Sequence, residues 1–442
     1  MTNKAVRKSA TKTSFDKQGS DSDEKRLEGA ISSFVRDFGR TAALQMEACV
    51  HCGLCAEACH FYVATKDPKY TPILKIEPFK RAYKREVGPL APLYKLFSRK
   101  VRLSDLEQWE ELIYDSCTMC GRCTMVCPMG IDIGSLVGLA RHGMFKAGLV
   151  PDRLYNIAKH AEERGTSQSA TPSEFVAIVS EIESEFGVTI PCDRQSADVL
   201  VTISAGQLEG HRDSFANTAK ILNHMKIDWT VSKSGFEATN FGMLSGNMDL
   251  QEKLTMHQVE AAIECGAKTL LLPECGHAYG ALRWRGEGWY GKPFPFQVLH
   301  MSEFLGRSVQ SGALKVKKTD GVVTYHDPCQ TGRRGGVFDE PRAVLDALGL
   351  ELRELAPGQE YNWCCGGGGG VLANERARPL RAEVFKIKMK QVEDTGADKV
   401  VSACHQCHIQ FSQGTAHYNW KIPYENLVEL VAANLDGEGE QT

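Results

Sequence analysis

No apolar run in the 442 residues approaches the ~20 that a bilayer span requires, so the chain is not expected to cross a membrane by itself. The N-terminus, polar and charged from Met1 to about Arg26, lacks the apolar core of a secretory signal, and residues 1–28 read as a disordered lead. Charge of one sign is also missing. With 52 Lys and Arg against 55 Asp and Glu, a net charge of −3 gives no basis for general nucleic-acid binding. No flavin-binding fingerprint occurs, so any flavin belongs to a partner. Without an export signal, 16 cysteines imply reduced thiols and metal ligation in the cytoplasm rather than a disulfide framework. The apolar fraction, 42%, suffices to bury the cores of two or three domains.

What the chain does have is one cysteine pattern twice: Cys49-x2-Cys52-x2-Cys55-x3-Cys59 and Cys117-x2-Cys120-x2-Cys123-x3-Cys127-Pro128. Three cysteines on one tight loop can hold three irons of a [4Fe–4S] cubane, and in two-cluster ferredoxins the fourth crosses to the other cluster. The expected sets are therefore Cys49, Cys52, Cys55 and Cys127 for one cubane, and Cys117, Cys120, Cys123 and Cys59 for the other. Zinc, the competing metal, usually takes two Cys-x2-Cys pairs instead of a run of four. His60 stands where the second motif has Pro128, a change expected to affect solvent access or potential while leaving ligation intact.

The fold class expected is α+β and multidomain: an α-helical ferredoxin domain followed by two α/β repeats, the first degenerate. Helical spacing, as in Leu136 to Ala147, marks residues 29–150 as the ferredoxin module, with a basic insertion at 60–116. Within it, residues 66–102 hold eleven Lys or Arg against three Asp or Glu. One reading is a solvated basic loop; the other is a surface where Lys80, Arg81, Lys84 and Arg85 dock a membrane subunit near anionic lipid. Residues 151–196 read as a helical linker, with Thr171 and Glu174 as a capping box for a helix running to about Phe186. Strand-like Asp198–Ser204 and Gly321–Tyr325 open two similar halves, 197–315 and 316–434, before a tail at 435–442. In each half a Gly-Ala turn and a strand lead to a cysteine, Cys275 or Cys404, at the C-terminal strand edge, where ligands of such sheets sit. The segment Arg283–Phe294 mixes aromatics with cations and reads as a packed loop, with a lid or partner contact as the alternative.

A further cysteine pattern occupies the second half: Cys329, then Cys364-Cys365-Gly366, then Cys404-x2-Cys407. Adjacent cysteines before glycine suit a turn that aims two sulfurs at one metal, and Gly366 to Gly370 allow close backbone approach. A phosphate loop is the weaker alternative, because strand-loop-helix context is missing. These residues, with His326-Asp327-Pro328 and Trp363, resemble the CCG domain of the heterodisulfide reductase family. Joined to a double-cubane ferredoxin, residues 29–434 resemble the fused subunits HdrD, DsrK and TmcB, and Pro273 to Tyr279 lean toward the HdrD and DsrK branch. The glycolate oxidase and lactate-utilisation iron–sulfur proteins share the architecture.

The resemblance implies a noncubane [4Fe–4S] cluster on Cys329, Cys364, Cys365, Cys404 and Cys407, besides the two cubanes. The first half departs from the pattern at Ser204, at 239–242 and at Ala278; it is expected to lend only Cys275 and His277 to the pocket wall. Arg333 and Arg334 are candidate cations for an anionic substrate, and His326 a candidate proton donor. The function expected is an iron–sulfur subunit of a membrane-associated respiratory complex, an oxidoreductase subunit passing electrons between a haem-b or quinone-reactive membrane partner and disulfide or thiol chemistry at the noncubane cluster. It would sit in the cytoplasm, attached peripherally through that partner. The alternative is a non-catalytic relay for a flavoprotein 2-hydroxyacid or amine dehydrogenase, or for an electron-transfer flavoprotein.

Overall fold

Capping chemistry and apolar spacing decide where the first helix stands in the computed structural model, which describes residues 21–437 apart from 38, 168–170 and 274. Ser22 accepts from the Lys25 N–H, and Asp23 and Glu24 put negative charge into the first turn of the helix Asp23–Ser32. Leu27, Ile31 and Phe34 then recur at helical spacing and join one core with the helix Ile133–Lys146. The helix thus begins inside the stretch expected as a lead to residue 28. Residues 1–20 of that lead lie outside the described residues.

The segment 60–116 is not looped out. Its helices Glu77–Glu86 and Leu103–Glu110 bury Phe79, Tyr83, Leu106 and Trp109 in the same core. Of the four cations expected to dock a partner, Lys80 is 4% exposed, and its ammonium lies 3.1 Å from His51 Nε2. Arg85 clamps the next helix, Ala91–Phe97, by donating to the carbonyls of Tyr94, Lys95 and Ser98. Arg81, Lys84 and Arg85 keep intermediate exposure. Long aliphatic stems make this possible, since they lie along apolar surface while the charged end finds a polar partner. What this hairpin does expose is apolar: Val87, Leu90, Leu93, Leu96 and Phe97.

The rest of the chain contains two four-stranded parallel sheets of matching order. Strands β1 (Val199–Val201), β2 (Trp229–Val231), β3 (Thr269–Leu272) and β4 (Gln297–His300) lie as β2-β1-β3-β4; β5 (Val322–Tyr325), β6 (Glu351–Leu352), β7 (Lys399–Ser402) and β8 (Tyr424–Asn426) lie as β6-β5-β7-β8. Tyr325 pairs with Val401 where β5 meets β7. The chain departs in opposite directions from β5 at that point, so the crevice for a ligand opens at the C-terminal ends of β5 and β7. Cys329 follows β5 and Cys404 follows β7. Both sheets share one core, in which Val201, Leu222, Val323, Tyr325, Leu345 and Val428 are buried. The helix Pro172–Phe186, started by the Thr171 and Glu174 capping box, packs into it. So does Leu435, which pairs with Val316 and therefore extends the fold into the expected tail; residues 438–442 lie outside the described residues.

One fully buried arginine ties the ferredoxin helices to both sheets. From the helix Ile133–Lys146, Arg141 donates to the carbonyls of Ile113 and Cys117 in its own module, Leu244 in the first half and Gly369 in the second. Four carbonyls take up the two terminal nitrogens of a charge that would otherwise be prohibitive to bury, while its buried Nε has no partner among the described residues.

Candidate iron–sulfur and cysteine-rich centres

The two repeated motifs take the same backbone path. His51 and Met119, two residues after the first cysteine of each motif, have φ of 55° and 53°; Gly53 and Gly121 follow at 83° and 77°. A left-handed residue at each position curls the loop so that its sulfurs face inward, and glycine accepts that conformation without a Cβ clash. Cys49, Cys52, Cys55 and Cys127 line one cavity of about 200 Å³. Cys59, Cys117, Cys120 and Cys123 line a second, of about 30 Å³. Four convergent thiols per cavity are a donor set suited to a [4Fe–4S] centre. The fourth cysteine of each motif faces the other motif's three.

Buried cations surround these loops. Lys75, within the stretch expected as a basic insertion, places its ammonium 3.6 Å from Cys59 Sγ and donates to the Ser116 carbonyl. Arg122 stacks on Trp363 at 3.5 Å and donates to the carbonyls of Ala58 and Tyr361, which joins both motifs to the turn before Cys364. Neither was visible as a site residue in the sequence, where Lys75 is one basic residue among many and Arg122 merely precedes a cysteine.

The C-terminal cysteines converge at the β5 and β7 strand ends. Cys365 and Cys407 sulfurs lie 3.3 Å apart, and Cys364, Cys365, Cys404 and Cys407 are all buried. Hydrogen bonds from Cys364 and Cys407 hold the Cys365 thiol below its ordinary range against the opposing effect of burial, with His326 adding to them. A thiol cluster this close, in which one member is already driven toward thiolate, fits a metal better than an apolar core. Cys120 belongs to this neighbourhood too: its sulfur, that of Cys364 and a ring nitrogen of His60 lie within 4.8 Å of one another. His60, the departure from the second motif, therefore sits where the ferredoxin loops meet the C-terminal centre.

His326 is buried beside the sulfurs, with Nε2 3.4 Å from Cys407 Sγ. Its tautomer follows from its neighbours. The Lys388 ammonium donates to Asn362 Oδ1 at 2.6 Å, which turns the Asn362 amide nitrogen toward His326 Nδ1 at 3.1 Å and the Asp327 carbonyl at 3.0 Å. Nδ1 then accepts, and the ring proton resides on Nε2 facing the sulfur. Lys388 is fully buried; burial lowers its pKa to about 7, opposed by the charges of Cys365, Cys364 and Cys407. Sequence reading missed both Asn362 and Lys388.

The two arginines expected as candidate cations for an anionic substrate are engaged within the protein. Arg333 donates to the carbonyls of Glu360, Cys120 and Asn362. Arg334 makes a two-pronged pair with Asp132 at 2.8 Å and, against the upward effect of burial, holds that carboxyl well below the usual range. Cys275 is enclosed with Ala238 and Ala278, and burial pushes its thiol up to about 11. His277 lies against Gly368, where burial first and then Arg141 and Arg334 lower its pKa to about 4. In the first half, helix caps occupy the positions of the missing cysteines: Ser204 bonds Gln207, and Asn240 bonds the Met243 N–H and Thr255. Gly206 leaves room for His405, whose ring nitrogen stands where a Cβ would be.

Residues 45–131 match the 4Fe-4S dicluster domain, and residues 323–412 match the cysteine-rich domain called CCG. The chain is 29% identical to a subunit of the dihydromethanophenazine:CoB--CoM heterodisulfide reductase of Methanosarcina barkeri, over 89% of this chain and 94% of that one. It is 25% identical to the Hdr-like menaquinol oxidoreductase iron-sulfur subunit 2 of Archaeoglobus fulgidus, over 87% of this chain and 78% of that one. It is 27% identical to the EtfAB:quinone oxidoreductase of Syntrophomonas wolfei, over 86% of this chain and 56% of that one. Two repeated ferredoxin motifs, a cluster of cysteines at a sheet switch point and relatives that span most of the chain lead to one conclusion: the chain joins a 4Fe-4S dicluster domain to a CCG domain and is similar over most of its length to heterodisulfide reductase and Hdr-like menaquinol oxidoreductase iron–sulfur subunits.

Proposed function

We propose that this chain is the iron–sulfur subunit of a quinone-linked redox complex and carries electrons to thiol or disulfide chemistry at its C-terminal cysteines. In this reading Cys49, Cys52, Cys55 and Cys127 hold one cubane, Cys59, Cys117, Cys120 and Cys123 a second, and Cys329, Cys364, Cys365, Cys404 and Cys407 a noncubane [4Fe–4S] cluster. Bound there, such a cluster supplies one-electron steps and an iron that can take a sulfur ligand. The protein's part is to hold the sulfurs, keep a ring N–H on Cys407 and exclude water. The observation that carries the proposal is the approach of Cys120 to Cys364, since it makes the ferredoxin loops and the C-terminal centre one electron path. Anaerobic analysis is expected to find about twelve irons per chain with matching acid-labile sulfide; about eight would mean that the C-terminal centre holds no cluster.

Electrons would enter at the first cubane. Cys52 is exposed, and around it stand Val50, Leu54, Leu74 and Met129, each at least 40% exposed. A membrane subunit that covers this edge and the hairpin tip would bury apolar surface worth about 25 cal/mol per Å². No helix among the described residues is long and apolar enough to cross a membrane, so the attachment proposed is peripheral. Leu96→Asp with Phe97→Asp is expected to release the chain into the soluble fraction while its iron content stays unchanged; full membrane retention of the double variant would reject this docking face. The EtfAB:quinone oxidoreductase relative favours a second reading, in which a flavoprotein partner exchanges electrons with this chain and the C-terminal centre is only a relay. In that case no thiol or disulfide perturbs the paramagnetic signal of that centre.

A further inference from the structure

The ferredoxin motif repeats faithfully up to its last cysteine and then breaks, and the break falls at a junction between centres. Pro128 follows Cys127 in the second motif, whereas His60 follows Cys59 in the first. His60 opens the short helix His60–Thr65, directly after Cys59 with φ −90° and ψ 113°. That backbone would suit proline as well, because the residue before it is extended and the first N–H of a helix has no carbonyl to bond within the helix. Main-chain geometry therefore gives no reason for a histidine at this position. The reason lies in the ring.

His60 is 2% exposed, and neither of its ring nitrogens has a hydrogen-bond partner. A buried donor left without an acceptor destabilises a fold. The Phe61 ring covers it, with centroids 4.3 Å apart, and one ring nitrogen lies within 4.8 Å of both the Cys120 and the Cys364 sulfurs. Those sulfurs belong to different centres, Cys120 to the second ferredoxin set and Cys364 to the C-terminal one. Thr118, on the same loop as Cys120, also reaches across, its Oγ1 3.4 Å from the Cys364 sulfur. A neutral imidazole carries one N–H, and a metal-bound thiolate accepts a hydrogen bond better than a thiol does. Ligation therefore supplies the acceptor that the ring lacks. An N–H aimed at a ligand sulfur stabilises the more negative, reduced state and so raises the potential.

Given the three clusters of the reading above, we propose that His60 is a positioning residue for electron transfer, sharing one N–H between Cys120 and Cys364 so that it couples the second ferredoxin centre to the C-terminal one and raises both potentials. One electron leaves the former, which is oxidised, and reaches the latter, which is reduced; no atom moves with it. Anaerobic full-length protein with its clusters would be poised at a series of potentials with dithionite and redox mediators, and each paramagnetic signal followed in the parent, His60→Pro, His60→Phe and His60→Gln. His60→Pro copies the second motif, His60→Phe keeps a buried ring without an N–H, and His60→Gln returns a donor. In the proline and phenylalanine variants the reduced-to-oxidised ratio of both centres is expected to fall about tenfold at fixed potential, which is ~59 mV for a one-electron couple. The first cubane is expected to keep its ratio, iron to stay at about twelve per chain, and glutamine to recover about half of the shift. A shift in the second cubane alone would confine His60 to its own motif and overturn the bridge. Unmoved potentials with about twelve irons would overturn the role of the ring while the three-cluster reading survives. Loss of iron from all three variants would make His60 a ligand or a packing residue, and about eight irons in the parent would remove the bridge together with the C-terminal cluster.

Discussion

Cys365→Ser is expected to reduce the iron content from about twelve to about eight per chain and to abolish turnover, while both cubane signals persist. The adjacent sulfurs of Cys364 and Cys365 cannot be replaced by a neighbour, because Gly366 and Gly367 follow and Trp363 is held in its stack with Arg122. Cys365 is also the thiol already driven toward thiolate by Cys364 and Cys407. Serine removes that soft anionic ligand and keeps the volume, so the change tests ligation and not packing. The ferredoxin motifs lie on a separate stretch of chain with their own core, and their two signals should be intact by paramagnetic resonance. A variant that retained twelve irons, or lost all of them, would reject this division of labour.

Lys388→Met is expected to lower the reduction potential of the C-terminal centre by tens of millivolts with iron content unchanged. A cation stabilises the more negative, reduced state; at an effective dielectric of ~20, one charge at ~8 Å contributes about 2 kcal/mol, or roughly 90 mV for a one-electron couple. The same residue predicts a pH effect in metal-free protein. Its folded pKa, about 7, lies below the ordinary lysine value of 10.5, so between the two the unfolded chain binds the extra proton. Stability is therefore expected to fall as pH drops from about 10 to about 7 and to level off below that. In Lys388→Met this part of the pH dependence should vanish, as measured by denaturant unfolding at several pH values. An unchanged potential together with an unchanged pH profile would show that Lys388 carries no charge at the centre.

Much of this protein was determined by local pattern. Cysteine spacing determined both ferredoxin loops and the C-terminal cysteines, because ligand geometry constrains the residues between ligands. The strands around Val199, Thr269, Val322 and Lys399 were readable as short apolar runs that end at a turn, and the Thr171 and Glu174 cap marked its helix. Tertiary structure decided the fate of the charges. Lys75, Lys80, Arg141 and Lys388 look like any other basic residue in sequence, yet each is 4% exposed or less, since its partners come from segments as far as 228 residues away. Arg333 and Arg334, placed by spacing near the cysteines, proved to be tethers because the carbonyl of Cys120 and the carboxylate of Asp132 arrive from the other module. The approach of Cys120 and His60 to Cys364 likewise arises only when separate units pack together. A buried polar group is defined by what surrounds it, and those surroundings are not local in the chain.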